Sequence, residues 1–390
     1  MLRKLPTAWL QLRHQKIRLI VALAGVVFSV VIVFMQFGLR DALFDSAVRF
    51  YKGLEGDCFL ISPRSTALIA METFPDRRLS QALAFEEVEF VTPIYLDQGQ
   101  WKNPGTRDYW RNIFIVGFDI RYPIFSFPGA EENRKKLEIS DVVLFDRDSR
   151  AEFGPVVPKF SQKGSVTTEI GSRGANRSVK VVGLYKMGTS FGSDGNLITS
   201  HLNFLRIFNT SRRIGFINVG LIKLKPGIDV DLFKNKLKAY LPKDVKVLSK
   251  QELMDFEKNY WESSTAIGFV FNLGVMLGIM VGVVVVYQIL YTNVSEHLSE
   301  YATLKAIGYR HQYLLSLVLQ QAFLIAILGY IPGFLIASIQ YEVTKQATLL
   351  PITMTLNRAL LVLVATIAMC FISGASAVQK LKAADPADIF

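Results

Sequence analysis

The chain has 390 residues, 51% of them hydrophobic and 20% charged, with a formal net charge of +11. That balance excludes an ordinary soluble domain, which would be less apolar, and also a chain buried in lipid throughout, which could not hold so many charges. A nucleic-acid-binding role fits poorly as well: residues 1–40 hold six Lys and Arg and no acid, whereas residues 41–265 mix 32 of the 44 basic residues with 28 of the 33 acidic ones, so the excess lies beside an apolar run and reads as membrane orientation.

In chain order, the first element is the uncharged run 19–39. A spanning helix needs roughly 20 apolar residues, and this run is long enough. It reads as a retained anchor: it exceeds the usual leader core, and no Ala-x-Ala site follows, the chain continuing Arg40-Asp41-Ala42-Leu43-Phe44. Arg3, Lys4, Arg13, Lys16 and Arg18 flank it on one side and place that end in the cytoplasm. Residues 1–40 are therefore a cytoplasmic N-terminus plus the first span, which is expected to extend outward through 42–52.

Residues 41–262 form a large extracytoplasmic domain of α+β class, with strands expected at 57–62, 113–117, 142–145, 165–169, 179–185, 219–224 and 245–248. A helix is expected at 230–240, capped by Asp229 and stopped by Pro242, with Leu232, Phe233, Leu237 and Tyr240 on one face. The polar segments 171–178 and 188–196 read as mobile or partner-facing loops. Ser249-Lys250-Gln251-Glu252 matches a capping box. No strong breaker follows it, so one helix is expected over 250–291, about 60 Å long at 1.5 Å per residue.

The second span, 263–293, carries Gly274, Gly278 and Gly282 on one helix face; small residues let helices approach closely in lipid, within one subunit or across a dimer seam. A cytoplasmic coupling helix is expected in 294–311. The third span, 312–341, contains Pro332 and Gly333, a static kink or a candidate hinge. A short external loop, 342–357, leads to the fourth span and a cytoplasmic C-terminus, 358–390. Four transmembrane helices thus surround the external domain in a one-plus-three arrangement.

Catalytic motifs fail on context. Gly188-Thr189-Ser190-Phe191-Gly192 matches the hydrolase elbow, which needs a following helix and a later acid and histidine; His201 is the one histidine in 41–262. One His and one Cys outside the membrane do not make a zinc shell, and no calcium-loop pattern occurs, so no metal and no catalytic residue is assigned. No phosphate-cradling Gly-x-x-x-x-Gly-Lys-[Ser/Thr] occurs. No ionisable residue lies within the four apolar runs, which disfavours an ion carrier. Cys58 and Cys370 should lie at different depths and stay unpaired.

The segment Glu296-His297-Leu298-Ser299-Glu300-Tyr301-Ala302-Thr303-Leu304-Lys305-Ala306-Ile307-Gly308 reads by itself as a short amphipathic helix ended by Gly308. It also resembles the coupling segment of FtsX/MacB-type ABC transporter permeases. Glu296, Glu300, Leu304, Lys305, Ala306 and Gly308 match position by position, while His297 and Tyr301 depart from the usual basic and aliphatic residues. The ending Asp385-Pro386-Ala387 after a basic stretch is similar too. Among these permeases, the size of the external domain is most similar to that in DevBCA-type exporters.

The resemblance implies a non-catalytic subunit of an ABC exporter in the bacterial inner membrane. ATP and magnesium would be held by an ATPase dimer on a separate chain, and this chain would bind no cofactor. Residues Glu296 to Ile307, Tyr301 among them, would rest in an ATPase groove. A second copy of the chain, a periplasmic membrane-fusion adaptor and an outer-membrane tunnel protein are the other implied partners, with a lipid or glycolipid as cargo. The alternatives are an FtsX-like regulator of a cell-wall hydrolase, whose external domain is usually much smaller, and a lipoprotein-releasing permease.

Overall fold

The computed structural model describes residues 16–106, 109–172, 175–190, 192–208, 213–296 and 311–382. Two compact units emerge, one formed by the chain up to Ala42 and again from Ala266, the other by Leu43–Thr265. The elements in chain order are α1 (Lys16–Ala47), α2 (Arg49–Lys52), β1 (Cys58–Ile61), β2 (Phe74–Pro75), α3 (Arg77–Ala82), β3 (Val88–Lys102), β4 (Trp110–Phe118), α4 (Ala130–Asn133) and β5 (Val142–Asp146). There follow α5 (Val156–Lys163), β6 (Val166–Ser172), β7 (Ala175–Tyr185), β8 (Asn196–Ser200), α6 (His201–Ile207), β9 (Phe216–Ile217), β10 (Val219–Leu224), α7 (Val230–Tyr240) and β11 (Lys246–Ser249). The last four are α8 (Lys250–Ser263), α9 (Ala266–Glu296), α10 (His311–Thr348) and α11 (Leu356–Lys382).

Four helices are long and apolar enough to cross a membrane, one before the external unit and three after it: α1, α9, α10 and α11. Their shared core takes Val26, Val30 and Phe34 from α1, Val286 and Leu290 from α9, Ile325 from α10 and Cys370 from α11. Facing outward, Phe269, Leu273, Met280 and Val284 of α9 are exposed, an apolar surface that in a bilayer meets lipid chains instead of water. The helices run past the apolar runs. Helix α1 ends at Ala47, and α10 continues to Thr348, so the first half of the expected external loop 342–357 is two further helical turns plus a tight reversal at Leu349, φ 60°.

In the external unit a nine-stranded mixed sheet runs β11-β1-β10-β3-β4-β8-β5-β7-β6, and β3 also pairs with β6 through Gln100↔Gly171 and Trp101↔Ile170. The six strands from β3 to β6 therefore close on themselves, which leaves no free edge at that end. Alternation sorts the side chains. Ile113, Ile115, Val143 and Phe145 join one core with the fully buried Trp101, while Phe114, Val116, Val142 and Leu144 point to the opposite face and a second core. Pairs β4–β8 and β5–β7 are parallel; the other pairs are antiparallel.

Each of the seven expected strands falls on a strand, and α7 has the expected bounds with Asp229 accepting from Asp231 and Leu232. Three expectations are corrected, and one strand has no counterpart among those expected. Strand β3 contains Pro93, Asp97 and Gly99, yet it pairs with β10 over its first half and with β4 over its second; neighbours on both halves outweigh local propensity. The segment 171–178 is a strand hairpin where described, with Glu169↔Ser178 through Ser172↔Ala175 in register. Asn176 and Ser178 are exposed, while Ser172 is buried at 7% exposure. On α7 only Phe233 and Leu237 are buried; Leu232 and Tyr240 are 71% and 58% exposed, although the Tyr240 ring meets Phe85 edge-on.

The third correction concerns the long helix. Ser249 and Glu252 complete the capping box as expected, but the helix stops at Ser263 and a new one starts at Ala266. The physical reason lies in three consecutive hydroxyl residues. Ser263 Oγ donates to Asn259 O at 2.5 Å and Thr265 Oγ1 to Trp261 O at 2.6 Å, and such side chains compete with the backbone ladder. A single unbroken rod over 250–291 is therefore absent.

Candidate functional site

The expected coupling residues Glu300, Tyr301, Leu304, Lys305, Ala306, Ile307 and Gly308 lie outside the described residues; Glu296 is the last residue of α9. The structure does place the elements on either side of that segment, and three arrangements of side chains stand out in the described residues.

The first is a glycine-lined groove around α1. Gly274, Gly278 and Gly282 turn toward the same chain's first helix. A Cβ on Gly274 would strike the Gln36 amide, one on Gly278 would lie 2.9 Å from Ile32 Cγ2, and one on Gly282 would strike Met369 Sδ and Ser29 Oγ. Ser29 Oγ also donates to the Gly278 carbonyl. On the other side of α1, Gly329 and Gly333 of α10 sit against Val26 and Val30, at 2.6 and 2.7 Å for the missing Cβ. Gly333 is thus a packing residue, and Pro332 lies inside an uninterrupted helix. Close approach is what small residues provide in lipid, where no hydrophobic drive separates helix from solvent.

The second is a polar clasp in the same unit. Arg358, 8% exposed, donates to Asp41 Oδ2 at 2.8 Å from Nη2 and to the Thr353 carbonyl at 2.6 Å from Nη1. Its guanidinium lies 5.6 Å from the centre of the Tyr341 ring, and Tyr341 donates its hydroxyl to the Phe34 carbonyl. Arg40 joins Asp41 at 3.2 Å and Asn272 at 3.4 Å. Asp41, near the C-terminal end of α1, holds Arg40 and Arg358, and these two arginines reach Asn272 of α9 and the Tyr341 ring of α10.

The third is a buried node within the external unit. Its first residues, in α2, and its last helix, α8, meet there. Lys250 Nζ donates to Leu54 O at 2.7 Å. Two turns further along α8, Glu257 is 1% exposed and accepts from Leu68 N at 2.7 Å, Trp261 Nε1 at 2.8 Å and Tyr51 Oη at 3.3 Å. Beside it, Arg49 of α2 donates to the carbonyls of Met187 and Thr189 at 3.2 and 3.1 Å. The same loop is held from below by buried Asp146, which accepts from Met187 N, Gly188 N and Asn196 Nδ2. The expected mobile segment 188–196 is therefore anchored at both ends. Ser190 pairs with Ser193 across a turn, and strand β8 follows where an elbow needs a helix.

Burial pushes the Glu257 carboxyl up from 4.5 to about 7, against the opposing hydrogen bonds from Trp261, Leu68 and Tyr51. The sign follows directly: a raised carboxyl binds its proton more tightly in the folded unit than in the unfolded chain. Stability from this group is full below pH 4.5 and is lost as pH rises to and past 7, a loss of about 3 kcal/mol for a shift of that size. Thermal melting of the purified chain should therefore fall between pH 5 and pH 8, and Glu257→Gln should flatten that slope. Equal slopes in the two proteins would assign the effect elsewhere. Desolvation likewise raises Asp146.

Sequence reading found the glycines and the capping box but missed Glu257, Arg358 and Asp41. Among the described residues no group of three or more His, Cys, Asp and Glu could hold a metal ion, and Cys58 and Cys370 are free and buried.

Comparison with known proteins adds the following. Residues 19–240 match the profile of the MacB-like periplasmic core domain, and residues 272–386 that of the FtsX-like permease C-terminal region. Two similar solved structures are the periplasmic region of MacB from Actinobacillus actinomycetemcomitans and the extracellular domain of the noncanonic ABC-type transporter YknZ from Gram-positive bacteria. The first has 12% identity and a TM-score of 0.37, covering 53% of this chain and 94% of its own. The second has 11% identity and a TM-score of 0.34, covering 50% and 100%. No curated protein sequence matches.

Proposed function

The chain belongs to the MacB-like periplasmic core domain family and carries an FtsX-like permease C-terminal region, and from that membership we propose that it works as a mechanical transmitter with no catalysis of its own. It is a permease of an ABC transporter, a membrane subunit with an extracellular domain and an ATPase partner. In this reading the ATPase is a dimer of separate chains that holds ATP and magnesium, and the segment from Glu296 to Ile307 is the part it pushes. The single observation that carries the reading is the C-terminal family match spanning the segment in which Glu296, Glu300, Leu304, Lys305, Ala306 and Gly308 follow the coupling pattern.

Three features support it. Residues 1–390 contain no phosphate-cradling loop, which fits nucleotide chemistry carried by a partner. The glycine groove packs α1 between α9 and α10, so a push on the segment joining α9 to α10 reaches α1. The external unit receives α1 through α2 and returns through α8, and these two are joined at Glu257 and Lys250. Two permease copies, a bacterial inner-membrane location, a periplasmic adaptor, an outer-membrane tunnel and a lipid or glycolipid cargo complete the proposal, most like the DevC permease of DevBCA-type exporters.

The test is uncoupling. Glu300→Ala and Gly308→Val should abolish most permease-stimulated ATP hydrolysis while both chains still co-purify. At a helix-ending glycine, the role the sequence suggests for Gly308, a side chain costs about 1–2 kcal/mol locally, enough to displace the segment without unfolding the spans. Unchanged stimulation in both variants would remove the coupling role.

A further inference from the structure

Glu257 is the one buried carboxylate of the external unit's terminal helix, and its partners come from three separate places in the chain: Tyr51 in α2, Leu68 in the segment after β1, and Trp261 one turn along α8. No cation among the described residues forms an ion pair with it. The charged groups nearby are committed elsewhere. In α2, Arg49 holds the Met187 and Thr189 carbonyls and Lys52 pairs with Asp45 at 2.9 Å. In α8, Lys250 holds Leu54 O and Glu252 pairs with Lys234 at 2.8 Å, while Asp255, Lys258 and Glu262 form no ion pair with it. Glu72, after the Leu68 segment, likewise forms none. A buried charge with donors but no counter-ion is sensitive to its own proton, because nothing else offsets its desolvation.

The hydrogen-bond inventory shows what that proton does. The Leu68 amide and the Trp261 indole can only donate, so their bonds need an acceptor on Glu257 in either state. Tyr51 can donate or accept. When Glu257 is protonated, its O–H points to Tyr51 Oη, the bond survives with its direction reversed, and no charge is buried. When Glu257 is ionised, Tyr51 donates to it and a charge is left in the core. All three contacts survive in both states: the neutral state leaves the Tyr51 hydroxyl proton without an acceptor, and the ionised state leaves a charge without a counter-ion in the core, the cost that burial makes the larger.

We propose that Glu257 is a positioning residue that makes α2, the Leu68 segment and α8 move as one piece, and that losing its proton loosens this connection. The inference rests on the permease reading and adds a regulation to it: transmission into the external unit is tighter in an acidic surrounding than in an alkaline one. Burial places the midpoint near 7.

Trp261 supplies the readout, since its indole N–H sits on the titrating carboxylate. The full-length permease, reconstituted in lipid nanodiscs with its ATPase, would be compared nucleotide-free and ATP-bound, using the emission of the wild type minus that of Trp261→Phe. The expected result has two parts. Trp261 emission titrates with a midpoint near pH 7, and its ATP-dependent change shrinks several-fold from pH 6 to pH 8.5. Glu257→Gln, neutral at every pH, keeps the ATP-dependent change and loses the pH dependence. Should Gln fail to fold, the wild-type titration and Glu257→Asp serve instead, the latter keeping a titrating group with a displaced midpoint. An ATP response with the same pH profile in wild type and Glu257→Gln overturns the inference while leaving the permease reading intact. If ATP leaves Trp261 unchanged at every pH, and Glu300→Ala leaves hydrolysis stimulated, the permease reading itself fails.

Discussion

Asp41→Ala should lower the stability of the membrane unit by about 2–3 kcal/mol and strip the four apolar helices of their shared polar clasp. The cost comes from what remains. Arg358 is 8% exposed and keeps only the Thr353 carbonyl and the face of Tyr341 once its carboxylate is gone. Breaking a buried pair by removing one partner costs about 3–5 kcal/mol; Asp41 is 37% exposed, so water reaches the broken pair and the value falls below that range. Replacing both partners, as in Asp41→Ala with Arg358→Met, should recover most of the loss, because no buried charge is left unpaired; Arg40 also loses Asp41 but is 26% exposed and reaches water. The measurement is thermal unfolding in nanodiscs through a double-mutant cycle. A single Asp41→Ala variant that melts with the wild type would show that the clasp contributes nothing.

The second large effect is expected at the glycine groove. Gly278→Leu places a branched side chain where even a Cβ would lie 2.9 Å from Ile32 Cγ2 and 3.1 Å from Val33 Cγ2. Both neighbours are β-branched and sit on a helix, so neither can rotate away, and the Ser29 hydroxyl bonded to the Gly278 carbonyl is displaced at the same time. Overpacking a tight contact costs about 1–3 kcal/mol, and adding Gly282→Leu, which meets Met369 and Ser29, should bring the total to the upper end of that range or past it. Val284→Leu on the same helix is the control, since Val284 is 58% exposed and should tolerate the change. The experiment also separates two roles for the stripe. If Gly278→Leu leaves each chain folded but splits a dimer, the glycines serve a seam between copies and the packing on α1 is secondary.

In the proposed permease role, the clasp and the glycine groove lie on one path. A push on the segment after Glu296 would act at the end of α9, whose glycine face lies on α1. Helix α1 runs on to Ala47, and α2 follows at once with Arg49 and Tyr51, the two residues that grip the 187–189 loop and Glu257. The return path is interrupted at Ser264 and Thr265, where α8 ends and α9 has not begun. The external unit therefore takes hold of α8 through Glu257 before the helical ladder is broken.

Much of this was legible in the residues. A bilayer demands about 20 uninterrupted apolar residues and internal satisfaction of every backbone group, so the one-plus-three arrangement follows from hydropathy alone, while the α+β class of the segment between the spans follows from its strand and helix patterns. Seven strands, the helix at Val230–Tyr240 and the capping box at Ser249 are local patterns with local causes. Their legibility stops where a neighbour decides. Strand β3 contains Pro93 and Gly99 and becomes a strand only because β10 and β4 flank its two halves. Gly274, Gly278 and Gly282 announce a close contact by their spacing, but only the packed helices identify α1 as what fills it.

Glu257 marks the far limit of sequence reading. Within Lys250–Ser263, beside Asp255, Lys258 and Glu262, it reads as one more solvated charge on a polar helix. Nothing in that stretch reveals that Tyr51, about two hundred positions earlier, and the amide of Leu68 close over it. Hydropathy is a property of consecutive residues and determined where the chain crosses the membrane. Burial of a single carboxylate is a property of what packs against it, and for this protein only the tertiary structure decided that.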